Sequence, residues 1–186
     1  VQVYPDTASG TVSGKASYRF RNTSGREQMA AFGVNPGYTI SSVQADGVDV
    51  PFSVSEYQEY NEAELEVTIP AGEQVELTIE YGGFPRESRS MATMQGGDEV
   101  SEEYLCLENA ELAPRLMNVL PGENGYPASV EITLPASMIV IPFGTGEAER
   151  VKENENGTIT WRYVANGTGG ILYAGNYVRE EIEAGG

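Results

Sequence analysis

"AELEVTIPAGEQVELTIEYGG", residues 63–83, holds two alternating runs parted by a proline and a glycine. In the first, Leu65, Val67 and Ile69 alternate with Glu64, Glu66 and Thr68. In the second, Val75, Leu77, Ile79 and Tyr81 alternate with Glu76, Thr78 and Glu80. Successive side chains of a strand point to opposite faces, so this period of two predicts strands with one buried and one wet side. Pro70-Ala71-Gly72-Glu73 supplies turn chemistry between them, and the pair reads as a β-hairpin.

The same period extends through most of the chain. Ala16, Tyr18 and Phe20 alternate with Lys15, Ser17, Arg19 and Arg21; Val130, Ile132 and Leu134 alternate with Glu131 and Thr133; Ile159, Trp161 and Tyr163 share a face. Asp46-Gly47 and Asn156-Gly157 lie between such runs and suit type I′ hairpin turns, since both dipeptides tolerate positive φ. "SMIVIPF", residues 137–143, is apolar on both sides and predicts a central or doubly covered strand. Helical signal is thin: Leu105, Glu108 and Leu112 fall at helical spacing within residues 101–117, enough for a turn or two before Pro114 cuts it short. Short strands separated by turn signals predict an all-β chain, an antiparallel β-sandwich or saddle-like sheet domain with little helix, spanning residues 1–186 as one domain.

Composition narrows the function. The 186 residues carry 28 acidic against 11 basic side chains, a formal charge of -17, which repels phosphate backbones and anionic lipid headgroups. Nucleic acid and direct membrane contact are therefore not expected. No stretch approaches the run of about 20 apolar residues that a membrane helix requires, nor is there a basic segment leading into an apolar one at the start. The chain opens at Val1 and closes on Ala184-Gly185-Gly186, which suggests a trimmed or processed piece of a longer polypeptide.

The chain has no histidine, so it can form neither a Ser-His-Asp or Cys-His nucleophilic system nor a His-ligated metal site from its own residues. The lone Cys106 cannot make an internal disulfide and reads as a small buried hydrophobe. Asn22-Thr23-Ser24, Asn156-Gly157-Thr158 and Asn166-Gly167-Thr168 match the glycosylation triplet, a pattern with meaning only in a eukaryotic secretory setting.

Two acidic clusters are candidates for chemistry. Asp98, Glu99, Glu102 and Glu103 offer oxygens for calcium but lack the spacing of an EF-hand loop, and a solvated loop is the better reading. Glu56, Glu59, Glu62, Glu64 and Glu66 would need two members facing each other across a cleft to act as a glycosidase pair. Several alternate outward on a strand instead, which favours surface solubility. Tyr57, Tyr60, Tyr81, Tyr104, Tyr126, Tyr163, Tyr173 and Tyr177 could line a sugar-stacking face, but tyrosines in a sandwich more often bury the ring and wet the hydroxyl.

The order of the pieces resembles a known family. "ASYRFRNTSG" (16–25), "YTISSVQADGVDVPF" (38–52) and the stretch from Ala63 to Pro85 are similar to the opening β-sheet module of the gluzincin zinc aminopeptidases related to aminopeptidase N. Residues 107–137 resemble that family's segment that crosses beneath the sheet, with "NVLPGENGYP" (118–127) as the proline-set extended approach to the next strand. "ITWRYVANGTGGILYAGNY" (159–177) resembles its closing strands, which end on an a-G-x-Y/F signature.

The resemblance implies the family's amino-terminal β domain with the catalytic domain absent, and so a chain that is not itself an enzyme. Zinc is expected only in that missing domain and no cofactor in this chain. The implied partners are the catalytic domain of the same parent polypeptide and, in the full-length protein, a peptide substrate. The family's amino-terminal domain lends a Gln or Glu to the substrate pocket shortly before the crossing segment; Cys106 occupies that position, with Glu108 nearby, and a cysteine there departs from the pattern. Similar modules fused to permease-like membrane proteins imply an extracellular or cell-surface location, with a cytoplasmic one also open. The rival readings are a free-standing extracellular module binding carbohydrate or protein, and a small hydrolase using paired carboxylates.

Overall fold

The computed structural model describes residues 1–22, 24–56, 63–86, 99–108, 112–117, 128–143, 147–165 and 171–178. Among them there is no helix. The strands are β1 (Gln2–Asp6), β2 (Thr11–Asn22), β3 (Gln28–Val34), β4 (Tyr38–Ala45), β5 (Val48–Asp49), β6 (Phe52–Glu56), β7 (Ala63–Ile69) and β8 (Gly72–Gly83). They continue with β9 (Glu99–Val100), β10 (Tyr104–Glu108), β11 (Arg115–Leu116), β12 (Ala128–Pro135), β13 (Ile139–Phe143), β14 (Glu149–Glu153), β15 (Thr158–Ala165) and β16 (Ile171–Gly175).

An eight-stranded sheet runs β14-β15-β12-β1-β2-β8-β4-β5, and two four-stranded sheets run β13-β16-β10-β9 and β11-β3-β7-β6. Pairing is antiparallel except between β1 and β12, where Gln2 lies beside Glu131. The inward residues of all three sheets form one continuous apolar core. Val3, Ala16, Leu77, Ile79, Ile132 and Leu134 come from the large sheet; Phe32, Leu65 and Val67 from one small sheet; Leu105, Leu107 and Leu172 from the other. The two small sheets thus cover the apolar side of the large one, the layered solution open to sheets with a single apolar face.

The hairpin expected at residues 63–83 does not form. The buried and exposed positions fall as the alternation predicts, but β7 pairs with β3 and β6 while β8 pairs with β2 and β4, so the chain arches from one sheet to another. Both flanks of β8 are taken by long partners, Val12 to Asn22 on one side and Tyr38 to Ala45 on the other, leaving no edge for β7. Buried Asn22 holds the arch: its side-chain amide donates to the carbonyls of Ile69 at 3.4 Å and Pro70 at 2.8 Å. Buried Asn35 does the same where β3 leaves its sheet for β4. It donates to the Arg86 carbonyl at 2.7 Å and accepts from the amides of Gly37 and Arg86, each at 2.9 Å. These two are the buried polar side chains among the described residues, and both sit where the chain changes sheets. At such points ladder bonds stop and backbone groups need side-chain partners.

Asp46 and Gly47, with φ of 50° and 79°, make the expected two-residue turn between Ala45 and Val48. That hairpin is short, because the chain then crosses to β6 in another sheet. At Asn156-Gly157 only Gly157 has positive φ, at 77°, so the expected type I′ turn is not the one adopted. The Gly157 amide donates to the Asn154 carbonyl at 3.1 Å and the Asn154 amide to the Thr158 carbonyl at 2.9 Å, a three-residue loop with a left-handed glycine. β13 is not central. It is an edge strand paired only with β16; Pro142, which has no amide to donate, fits such an edge, and Ile141 is 45% exposed. The helical turns expected in residues 101–117 are absent from the described part of that stretch, 101–108 and 112–117. Tyr104–Glu108 is a strand in which Leu105 and Leu107 both reach 0% exposure, a period of two hidden by the apolar Cys106 between them.

The segment after β10 does cross between sheets. The Tyr81 hydroxyl donates to the Leu112 carbonyl at 2.5 Å and the Tyr18 hydroxyl donates to that of Pro114; Arg115–Leu116 then pairs with β3. Tyr81 can lie there because Gly14 opposite has no side chain: a Cβ at that position would come within 2.3 Å of the hydroxyl. Residues 118–127, read above as the extended approach, lie outside the described residues.

Candidate functional site: the outward face of the sheet carrying Cys106

β10, β16 and β13 read YLCLE, ILYAG and IVIPF, with one charged residue among them, Glu108. Register sorts their side chains. Leu105, Ala174 and Val140 stand in one row and are buried in the core. Cys106, Tyr173 and Ile141, with Glu99 of β9 paired to Cys106, form the row on one side of it, and Tyr104, Gly175 and Ile139 the row on the other; both are outward by alternation, and Ile139 also packs against the core. Over Gly175 lies the ring of Tyr177. A Cβ on that glycine would meet the Tyr177 ring at 3.1 Å, which is the physical reason for a glycine two residues before an aromatic here. The Tyr104 and Tyr173 rings pack with centroids 6.3 Å apart.

Cys106 is an outward residue by alternation that is nevertheless only 4% exposed, with Tyr104 as a neighbour. Burial raises the pKa of the Tyr104 hydroxyl above its ordinary value, and the neighbouring Cys106, Tyr177 and Tyr173 add to the effect. The face therefore gathers rings and a thiol, with Glu99 paired beside Cys106 and with Ile141 at 45%, Tyr177 at 39% and Val178 at 86% exposure around it. Glu108 ends β10 opposite Ile171; its side chain lies outside the described residues.

The other candidates do not gather into a site. Glu64 is half-buried and Glu66 exposed on β7, whereas Glu59, Glu62, Tyr57, Tyr60, Asp98 and Tyr126 lie outside the described residues. Glu102 and Glu103 are exposed. Among the described residues no group of His, Cys, Asp or Glu is placed to hold a metal ion. Tyr81 and Tyr163 are buried, and burial raises the pKa of both hydroxyls. An open groove of about 320 Å³ lies between the end of β2 and the start of β3, lined by Phe20, Asn22, Met29 and Ile69. No helix among the described residues is long and apolar enough to cross a membrane.

The sequence reading singled out Cys106 but not the face around it. The available signal was the near absence of charge in β13 and β16 within a chain of formal charge -17.

No protein-family model matches the sequence, and no curated protein does. Solved structures do match in three dimensions. An M1 zinc metallopeptidase from Deinococcus radiodurans aligns with a TM-score of 0.61 at 17% identity, over 92% of this chain and 40% of that one. A mutant of that enzyme gives a TM-score of 0.65 at 16% identity with the same coverage. Leukotriene A4 hydrolase from Saccharomyces cerevisiae aligns at 0.57 and 10% identity, over 94% of this chain and 28% of that one. What they share with this chain is the fold. This chain spans less than half the length of each.

Proposed function

We propose that this chain is a non-catalytic amino-terminal β domain of an M1 aminopeptidase-like protein, supporting or capping a catalytic domain supplied by the same parent polypeptide. The observation that carries this reading is the lopsided match, 92% of this chain against 40% of an M1 zinc metallopeptidase. The chain's total lack of histidine agrees with it, since zinc ligation and general-base chemistry would then belong to the remainder. Zinc is accordingly expected in that remainder, and a peptide is the substrate of the whole. β10, with Cys106 and Glu108, is the strand that would border the substrate pocket. An extracellular or cell-surface parent remains part of the proposal.

Two measurements test it. The parent gene should encode an H-E-x-x-H domain following this one; a gene without it removes the reading. The isolated chain should show no zinc-dependent turnover of amino-acid anilides, and turnover above background would show that this domain catalyses by itself.

A further inference from the structure

We infer that the free edge of β6 is a docking site for an extended segment of a partner protein in which apolar and basic residues alternate. This goes beyond the domain reading above and does not depend on it. Among the described residues β6 ends its sheet, and its register with β7 runs unbroken from Phe52 beside Val67 to Glu56 beside Ala63. Edge strands are normally blunted by a lysine, an internal proline, a bulge or a covering element. FSVSE has neither lysine nor proline, its ladder has no bulge, and Phe52, Ser53, Val54 and Ser55 are all exposed. Paired residues of neighbouring strands share a face, so Phe52 and Val54, opposite the fully buried Val67 and Leu65, belong to the core-facing rows. Yet they are 40% and 48% exposed. The edge of the large sheet repeats this: Val48 of β5 pairs with buried Ala45 and is 67% exposed. The apolar layer between the sheets therefore opens to water along β5 and β6, and a strand added to β6 carries its own apolar residues into those rows.

The other side of β6 selects the charge of the occupant. Ser53 and Ser55 stand opposite Glu66 and Glu64 on the outward side. From Glu27 to Pro85 the chain has eleven acidic residues and no lysine or arginine. Two of the eleven, Glu76 and Glu80, meet Arg19 and Lys15 on the large sheet. Arg115, the one basic residue in the four strands of the β6 sheet, lies on β11 at the opposite edge. Lysine or arginine side chains on an added strand would reach over the two small serines toward Glu64 and Glu66, the complementary arrangement that fixes partner and register. A second copy of β6 would bring only further carboxylates, so charge disfavours self-pairing.

Fluorescence anisotropy of a labelled peptide of alternating valine and lysine, titrated with the 186-residue chain, tests the assignment. The peptide should bind saturably, bind more weakly as salt is raised, and slow amide hydrogen exchange within residues 52–56. A peptide of alternating valine and glutamate should not bind, nor should the valine-lysine peptide with a proline at its centre, which keeps the charge but lacks a ladder donor. Val54→Lys should leave the unfolding midpoint unchanged, because the side chain is half exposed, and lower the affinity several-fold; Val164→Lys, on the outward face of the large sheet, should leave both unchanged. Should Val54→Lys unfold the chain, the exchange pattern of the wild type decides. Equal binding of the proline peptide would reduce the effect to attraction between opposite charges and overturn the proposal. Slowed exchange elsewhere than at β6 would also overturn it, as would protection of residues 52–56 by dimerisation of the chain without peptide.

Discussion

The outward faces of the large sheet and of the small sheet carrying Cys106 are built from the same kind of ladder and finished in opposite ways. On the large sheet, cross-strand neighbours are complementary: Lys15 meets Glu80 at 3.3 Å, Arg19 meets Glu76 at 3.5 Å and Arg162 meets Glu131 at 2.6 Å, with Thr133 and Thr160 hydroxyls bonded at 2.9 Å between them. Exposed apolar residues there, such as Tyr4 and Val164, stand singly. On the small sheet the outward rows hold tyrosines, isoleucines and a thiol, with Glu99 of β9 paired beside Cys106 and Glu108 at the end of β10. Cross-strand pairs stabilise a sheet face only modestly, by roughly 0.2–1 kcal/mol each, but they make it complete in water. A face of contiguous apolar side chains is complete only against another surface.

The largest effect should separate the two sides of the small sheet. Leu107→Ala, in the core at 0% exposure, should cost roughly 2–5 kcal/mol in urea unfolding of the isolated chain, whereas Ile141→Ala on the outward side should stay within about 0.5 kcal/mol. Equal losses would mean that the outward face is already packed and the contrast is mistaken.

A smaller loss, roughly 1–3 kcal/mol, is expected for Tyr81→Phe, which leaves the Leu112 carbonyl without its buried donor. An unfolding midpoint equal to wild type would show that the crossing segment is held otherwise. The same tyrosines give a pH signature. Burial raises the hydroxyl pKa of Tyr18, Tyr81 and Tyr163 above the ordinary value of 10.0, so the folded state prefers them neutral. Their contribution to stability is fully present below pH 10 and falls as pH rises beyond it, because the unfolded chain ionises first. Tyrosine absorbance should therefore titrate late and together with the loss of strand signal in circular dichroism; early, independent titration would contradict their burial.

The large sheet's polar face predicts the opposite sign at the acid end. The hydrogen bond from Arg162 holds the Glu131 carboxyl below the ordinary value of 4.5. Stability from this pair is present above that value and is lost as pH falls through the lowered one. Arg162→Met should flatten the acid limb of the stability curve, and an unchanged limb would show the pair to be idle. The smallest effect belongs to the half-exposed Lys15–Glu80 pair, where Lys15→Ala should cost between about 0 and 1 kcal/mol and less still in high salt. A larger, salt-insensitive loss would indicate a packing role for the lysine stem.

Much of the fold was legible because strand faces are local. The alternation at Leu65–Ile69, Val75–Tyr81, Val130–Leu134 and Ile159–Tyr163 correctly placed every one of those apolar side chains inward. The errors fell where pairing or context mattered: the arch at Pro70, the edge position of "IVIPF", and β10, where the apolar Cys106 masked the period. Asn22 was noticed only as the head of a glycosylation triplet, and Asn35 was not singled out. An asparagine beside a turn is common in any sequence, and only the change of sheet at each one gives its side chain several backbone groups to bond. Cys106 was noticed through the family resemblance, but the aromatic face around it depends on register across three strands.

The sequence by itself determined the all-β class, the inward and outward sides of β2, β7, β8, β12 and β15, and the exclusion of histidine chemistry from this chain. Each is a property of neighbouring residues or of composition. Tertiary structure alone decided which strand lies beside which, where the chain changes sheets, and which outward side chains stand together. Backbone ladders are chemically alike along their length, so a strand's partner is chosen by which edges are free and which apolar rows can share a core, and both depend on residues far apart in the chain.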